Sequence, residues 1–443
     1  MFSPDAAFGS RDRLLPAGVP FGFFAAALAF HAAGWLLLLL GGEALLGFRG
    51  GPGTVLAALH LFTLGVLATT AMGASYQLLP MATVRPVGSA RWAWASFALA
   101  VPGIALFAAG LALWQDVPAA LGGLLAAAGL AVFAALMAVN LCPGGVAAPE
   151  MRVVRHYAWG ALASLAAAAG LGVALLCDLR LGFLPDHASL AGVHLGLALF
   201  GFMGMLAAGF STILVPMLAL GPAPSVRLGH ASAAAAEVGL AVLVAGAFLP
   251  GPWPTVAAVL CGLAAVALHL TAMRAVLKAR MRKRLGTAFL LIRVAWAVLP
   301  VALALALLPA LGIDAFNMPT VFVVLAVFGW LLTFLFGVLQ RIAPFLASVH
   351  ATVPGGRPPL VSKLTPERPL KVHAALHLAA VALLVAGNLF NVEALARLGA
   401  LSGAGGAVAL LIFAFAVRRR TLAAWRTALS NTRSKPGDLA CST

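Results

Sequence analysis

The sequence predicts an all-α polytopic membrane protein of twelve transmembrane helices, built as three parallel four-helix repeats. Three observations predict it. First, 63% of the 443 residues are hydrophobic and 9% charged, with a mean hydropathy of +1.05; that balance excludes a soluble domain of this length. Second, twelve apolar runs of spanning length begin near residues 19, 54, 90, 117, 156, 188, 229, 253, 286, 317, 371 and 397. Third, one spaced motif occurs three times. Gly65, Gly73 and Pro80 lie on the second run, Gly201, Gly209 and Pro216 on the sixth, and Gly329, Gly337 and Pro344 on the tenth. The copies are offset by 136 and 128 residues, so the repeat unit is four helices, about 15–145, 150–280 and 284–420 of a single transmembrane domain. An even number of spans keeps all copies in one orientation, about an axis along the membrane normal.

The linkers set the topology. Arg85, Arg91, Arg152, Arg155, Arg227, the run from Arg274 to Arg284, and the segment from Arg357 to Lys371 fall on one side. Only Arg49, Arg180 and Arg397 fall on the other. Positive loops stay inside, so the expected setting is a bacterial inner membrane with both termini cytoplasmic. The net charge of +16 then reflects topology and the lipid bilayer as partner, not nucleic acid. Residues 427–443 read as a disordered polar tail. The four cysteines have neither disulfide nor metal spacing.

Along the chain, the motif glycines read as close-packing positions and the prolines as helix ends at the inner face. His60 on helix 2 and His194 on helix 6 lie about 10 Å below the outer surface, with His187 one face-repeat above His194 and His31 at a comparable depth on helix 1. Intramembrane imidazoles are ligand candidates; hydrogen bonding between helices is the bland alternative. His373 and His377 are spaced to chelate an ion but read as interfacial beside Lys371. His156, His230 and His350 read as loop-edge residues and His269 as a core histidine. Glu237 and Arg293 lie at matching depth and read as a buried charge pair, or as a proton or anion path. No phosphate loop, zinc-protease motif or Cys-x-x-Cys-His site is present.

Twelve spans in three arcs, with a histidine in the outer half of helix 2, resemble the catalytic subunit of the haem-copper oxidases. In that family the helix-2 position ligates a low-spin haem and helix 6 supplies a copper ligand; His60 and His194 match those places. The resemblance implies a haem b in the arc of helices 11, 12, 1 and 2, with His60 and His31 as its ligands, and His194 and His187 as metal ligands for copper. The departures are marked. Helix 7 has only His230 at its start, and helix 10, read from Phe316 to Pro344, has no histidine. The chain is therefore expected not to work as a terminal oxidase or nitric oxide reductase. It looks more like the short, degenerate relatives, of which the NnrS-type haem membrane proteins are one group. Metal-linked sensing, protection or assembly beside respiratory or denitrification proteins is the function this implies. Two other readings stand beside it: a copper or small-solute transporter using Met81 and Met217, which follow repeat prolines, and a cofactor-free assembly partner.

Overall fold

The computed structural model describes residues 14–83, 85–142, 149–313, 316–352 and 357–433. Among these, every regular element is helical, and twelve helices are long and apolar enough to cross a bilayer. They are α1 (Gly18–Leu40), α2 (Thr54–Thr83), α3 (Ala90–Ala112), α4 (Asp116–Leu141), α5 (Met151–Leu181), α6 (His187–Ala219), α7 (Val226–Gly246), α8 (Trp253–Lys278), α9 (Gly286–Ala310), α10 (Met318–His350), α11 (Glu367–Leu389) and α12 (Glu393–Ser430). The hydrophobic effect does not drive such helices together inside lipid; close packing does. Large apolar side chains such as Leu36, Trp92, Leu260 and Phe415 accordingly stay exposed on the outside of the bundle.

Small residues set where helices meet. The hairpins α3–α4, α7–α8 and α11–α12 are the most intimate pairs. In the first, a Cβ on Gly103, Gly110, Gly122 or Gly129 would strike the partner's backbone. The motif glycines bind each long inner helix to the helix before it. A Cβ on Gly65 would lie 2.7 Å from Cβ of Phe30, one on Gly73 2.7 Å from Cβ of Phe23, and one on Gly209 2.8 Å from Cβ of Tyr157. Gly201 meets Ser164, Gly329 meets Val298, and Gly337 meets Ile292 with the carbonyl of Ala288. The same contact thus occurs on α1–α2, α5–α6 and α9–α10.

A second feature accompanies the glycines. Each inner helix contains an eight-residue π-helical segment: Leu61–Ala68 in α2, Leu197–Gly204 in α6 and Leu325–Leu332 in α10. Their first residues are offset like the motif glycines. Wider i→i+5 turns leave backbone carbonyls for other donors. Thr69 donates to the carbonyl of Leu64 at 2.9 Å, and Thr333 to that of Phe328 at 2.7 Å. The π segments of α2 and α10 touch through Phe62 and Phe328, with ring centroids 4.7 Å apart, and α6 meets α10 where Phe200 stacks on Trp330 at 5.1 Å.

The structure revises four sequence expectations. Pro80, Pro216 and Pro344 lie inside their helices rather than ending them, because local rearrangement in a packed bundle meets the freed carbonyls. Helix α10 runs on to His350, so it does carry one histidine, at its inner end. Helix α12 continues helically through Arg433, so 427–433 is not a disordered tail; 434–443 lie outside the described residues. Helix α11 begins at Glu367, one turn earlier than hydropathy suggested.

Candidate functional site: a buried histidine cluster

Three histidines meet in the middle of the bundle. His31 comes from α1, and His373 and His377 come from successive turns of α11; they are 1%, 0% and 1% exposed. Their rings surround Phe336 of α10, with centroids at 4.8, 4.7 and 5.2 Å from it. His373 and His377 stack nearly parallel, 15° apart at 5.8 Å, while His31 lies 6.2 Å from His373. The interfacial reading of His373 and His377 therefore fails. The extra turn of α11 sinks both rings, to about 9 and 15 Å from its inner end at 1.5 Å per residue.

Partners fix the tautomers of two rings. The indole N–H of Trp35 donates to Nε2 of His31 at 2.9 Å; indole is a donor only, so neutral His31 carries its proton on Nδ1. His377 Nε2 lies 2.8 Å from Oγ1 of Thr333 and 3.2 Å from the carbonyl of Phe328. A carbonyl only accepts, and the Thr333 hydroxyl is already spent on Phe328, so His377 Nε2 is protonated and Nδ1 holds the lone pair. The π turn of α10 supplies that carbonyl. Four buried nitrogens of this cluster have no partner among the described residues: His31 Nδ1, both of His373, and His377 Nδ1. Leaving such a group unmet costs about 1–3 kcal/mol.

The remaining sequence candidates lie elsewhere. His60 is half-buried on the opposite face of α2. Phe62 touches His31, and residues two apart lie on nearly opposite sides of a helix of either α or π pitch. His60 instead packs on Phe107 of α3 at 5.0 Å and donates Nδ1–H to the carbonyl of Leu56 at 2.9 Å. It does not meet His31. His194 donates Nδ1–H to the carbonyl of Ala168 on α5 at 2.9 Å, and it lies within electrostatic reach of His60. His187 bonds Asp178 at 2.7 Å. Glu237 and Arg293 are not paired. Glu237 bonds Nε2 of His156 at 3.1 Å, while Arg293 is exposed on α9 and joins no ion pair among the described residues. Matching depth does not fix which way a helix face turns.

No family model and no curated protein matches the sequence. A solved structure does. A heme-copper terminal oxidase dimer seen by electron cryo-microscopy matches 94% of this chain and 84% of its own, with a TM-score of 0.58 and 12% identity. The chain has the haem-copper oxidase fold. On this fold the space between α1, α2, α10 and α11 is filled. Trp35 lies 5.1 Å from both Phe62 and Phe328, and Phe336 occupies the centre of the histidines. A planar macrocycle needs an open slot between helices, and rings in contact leave none there. The pair His31 and His60 does not fit a haem, since the two rings face opposite sides of α2. The donor set fits a small cation better. His377 has its N–H held by a carbonyl and its lone pair turned away, the usual arrangement of a metal-binding imidazole. Among the described residues, no three His, Cys, Asp or Glu side chains converge on one metal position.

Proposed function

We propose that this chain is a metal-binding membrane protein on the haem-copper oxidase scaffold, holding a small cation of the copper class at His373 and His377 in place of a haem. The observation that carries this reading is the orientation of His377. Its Nε2–H is tied to Thr333 and Phe328 and its Nδ1 lone pair is unmatched, one turn below a histidine whose nitrogens are both unmatched. Imidazole suits copper and zinc, and an i, i+4 pair reaches one ion. His31, with its proton on Nδ1, serves as a donor to whatever third ligand the ion carries.

We place the protein beside a respiratory or denitrifying electron-transport system in a bacterial inner membrane, as a degenerate, NnrS-type relative. Its work is metal-linked sensing, protection or assembly, not reduction of oxygen or nitric oxide. The terminal-oxidase neighbour supports the setting; the lack of a histidine in α10 before His350 supports the degeneracy. The recurring glycine contacts and π segments support descent from a threefold repeat. The test is metal analysis with an optical spectrum of purified protein. Stoichiometric copper that is lost in His373→Ala/His377→Ala and kept in His60→Ala is the expected result. A Soret band at haem stoichiometry that His60→Ala removes would overturn it.

A further inference from the structure

Away from that cluster, α5 and α7 bring together three titratable side chains in single file. His230 Nδ1 lies 3.0 Å from His156 Nδ1, and His156 Nε2 lies 3.1 Å from Oε2 of Glu237. The two imidazoles are tilted by 33° with centroids 5.2 Å apart. His156 is therefore bonded through both ring nitrogens, in opposite directions, so it cannot chelate an ion with its neighbours. It is a link. His230 sits four residues into α7 and Glu237 eleven, about 6 and 16 Å from the end of that helix beside the basic linkers. The file therefore runs inward from the polar end of the bundle.

Donor and acceptor rules allow two hydrogen-bond polarities. With Glu237 ionised, the carboxylate only accepts, so His156 donates through Nε2–H and must accept at Nδ1 from His230 Nδ1–H. With Glu237 protonated, both bonds reverse. We propose that His230, His156 and Glu237 form a proton relay that charges and discharges Glu237 from the basic end of the bundle. Each transfer balances as a chain of hops. A proton from hydronium adds to Nε2 of His230, leaving water, and the Nδ1 proton of His230 passes to Nδ1 of His156. The Nε2 proton of His156 passes to Oε2 of Glu237. The net change is one proton gained by the carboxylate, with His230 and His156 left neutral in their other tautomers.

The surroundings fit a carboxylate that changes charge. On α5, Arg152 lies within electrostatic reach of His230, and Tyr157 within reach of Glu237. The Tyr157 hydroxyl is buried beside Ser232. From α6, Met205 packs beside Glu237 against Gly160, where a Cβ would also meet Oε1 of Glu237 at 2.7 Å. On α7 itself, the Ser232 hydroxyl donates to the carbonyl of Ala265 at 2.8 Å. No fixed cation holds Glu237 ionised: among the described residues its ion-pair partner is His156.

The experiment is a pH-jump followed by time-resolved infrared spectroscopy on the purified full-length protein. The carboxylic acid C=O band of Glu237 is assigned by its loss in Glu237→Gln. After an acid jump that band is expected to rise roughly tenfold or more slowly in His156→Gln and His230→Gln, the order of effect a lost proton-transfer group produces. Glutamine keeps a hydrogen-bonding group in place at each position. In His230→Ala, added imidazole is expected to restore the rate. Wild-type rates in both glutamine variants, a band that survives Glu237→Gln, or a slow His230→Ala rate that imidazole leaves slow would each overturn the relay.

Discussion

Trp35 donates its indole N–H to Nε2 of His31 one helical turn away, at 2.9 Å and with both groups buried. Replacing Trp35 by Phe leaves a buried acceptor without its donor, at a cost of about 1–3 kcal/mol. Chemical unfolding in detergent should register that loss, and His31→Phe on top of it should recover part. Equal, additive losses from the two changes would show that the bond does not set the His31 tautomer.

The second prediction separates neighbours from residues that share only a depth. Glu237→Gln and Arg293→Gln should be additive within about 0.3–0.5 kcal/mol in a double-mutant cycle, because the two do not touch. Glu237→Gln and His156→Gln should couple by more than that. Coupling of Glu237 to Arg293 instead would restore the charge pair that the sequence suggested.

Close packing at the motif glycines gives a third. Alanine at Gly65, Gly73 or Gly209 places a Cβ 2.7 or 2.8 Å from a neighbouring Cβ, an overpacking worth about 1–3 kcal/mol. Gly170, whose Cβ would meet nothing within 4 Å, is the control. Thermal midpoints should fall for the first three and hold for the last. A uniform response would mean that helix propensity, not packing, is being measured.

Topology supplies the fourth. Cys142 follows α4 and Cys177 lies in the last turns of α5, so they sit at opposite ends of the bundle, and both are exposed. Cys177 also lines an open cavity of about 240 Å³ with Trp114, Asp116 and Arg180. A membrane-impermeant thiol reagent applied to intact cells should label Cys177 and spare Cys142. The reverse pattern would invert the assigned orientation.

Hydropathy alone locates all twelve helices, because lipid imposes length and apolarity on every span. What it misses is the first turn of α11. Glu367, Arg368 and Lys371 are charged, so the window opens late and His373 and His377 look shallow. The same effect at Met151 and Val226 makes His156 and His230 resemble loop residues, when each lies one or more turns inside its helix. Orientation about the helix axis is the other blind spot. His60 and Phe62 are equally plausible inward residues by sequence, and only the packing of Phe62 on His31 and Trp35 decides between them. The i, i+4 spacing of His373 and His377 was the one readable sign of the buried cluster.

The π segments carry a consequence for how α2, α6 and α10 are numbered in space. An i→i+5 turn takes one residue more than an α turn, which is about 100° of rotation. Each of these helices is therefore two helical wheels spliced out of phase. A wheel drawn from the outer half, where His60 and His194 lie, points to the wrong side by the time it reaches Gly73, Gly209 or Gly337. Deleting a single residue within Leu61–Ala68 would bring the halves back into phase, and in doing so turn the inner-half glycine away from Phe23. The extra residue is the indexing pin that lets one straight rod present separate faces at two levels of the bilayer.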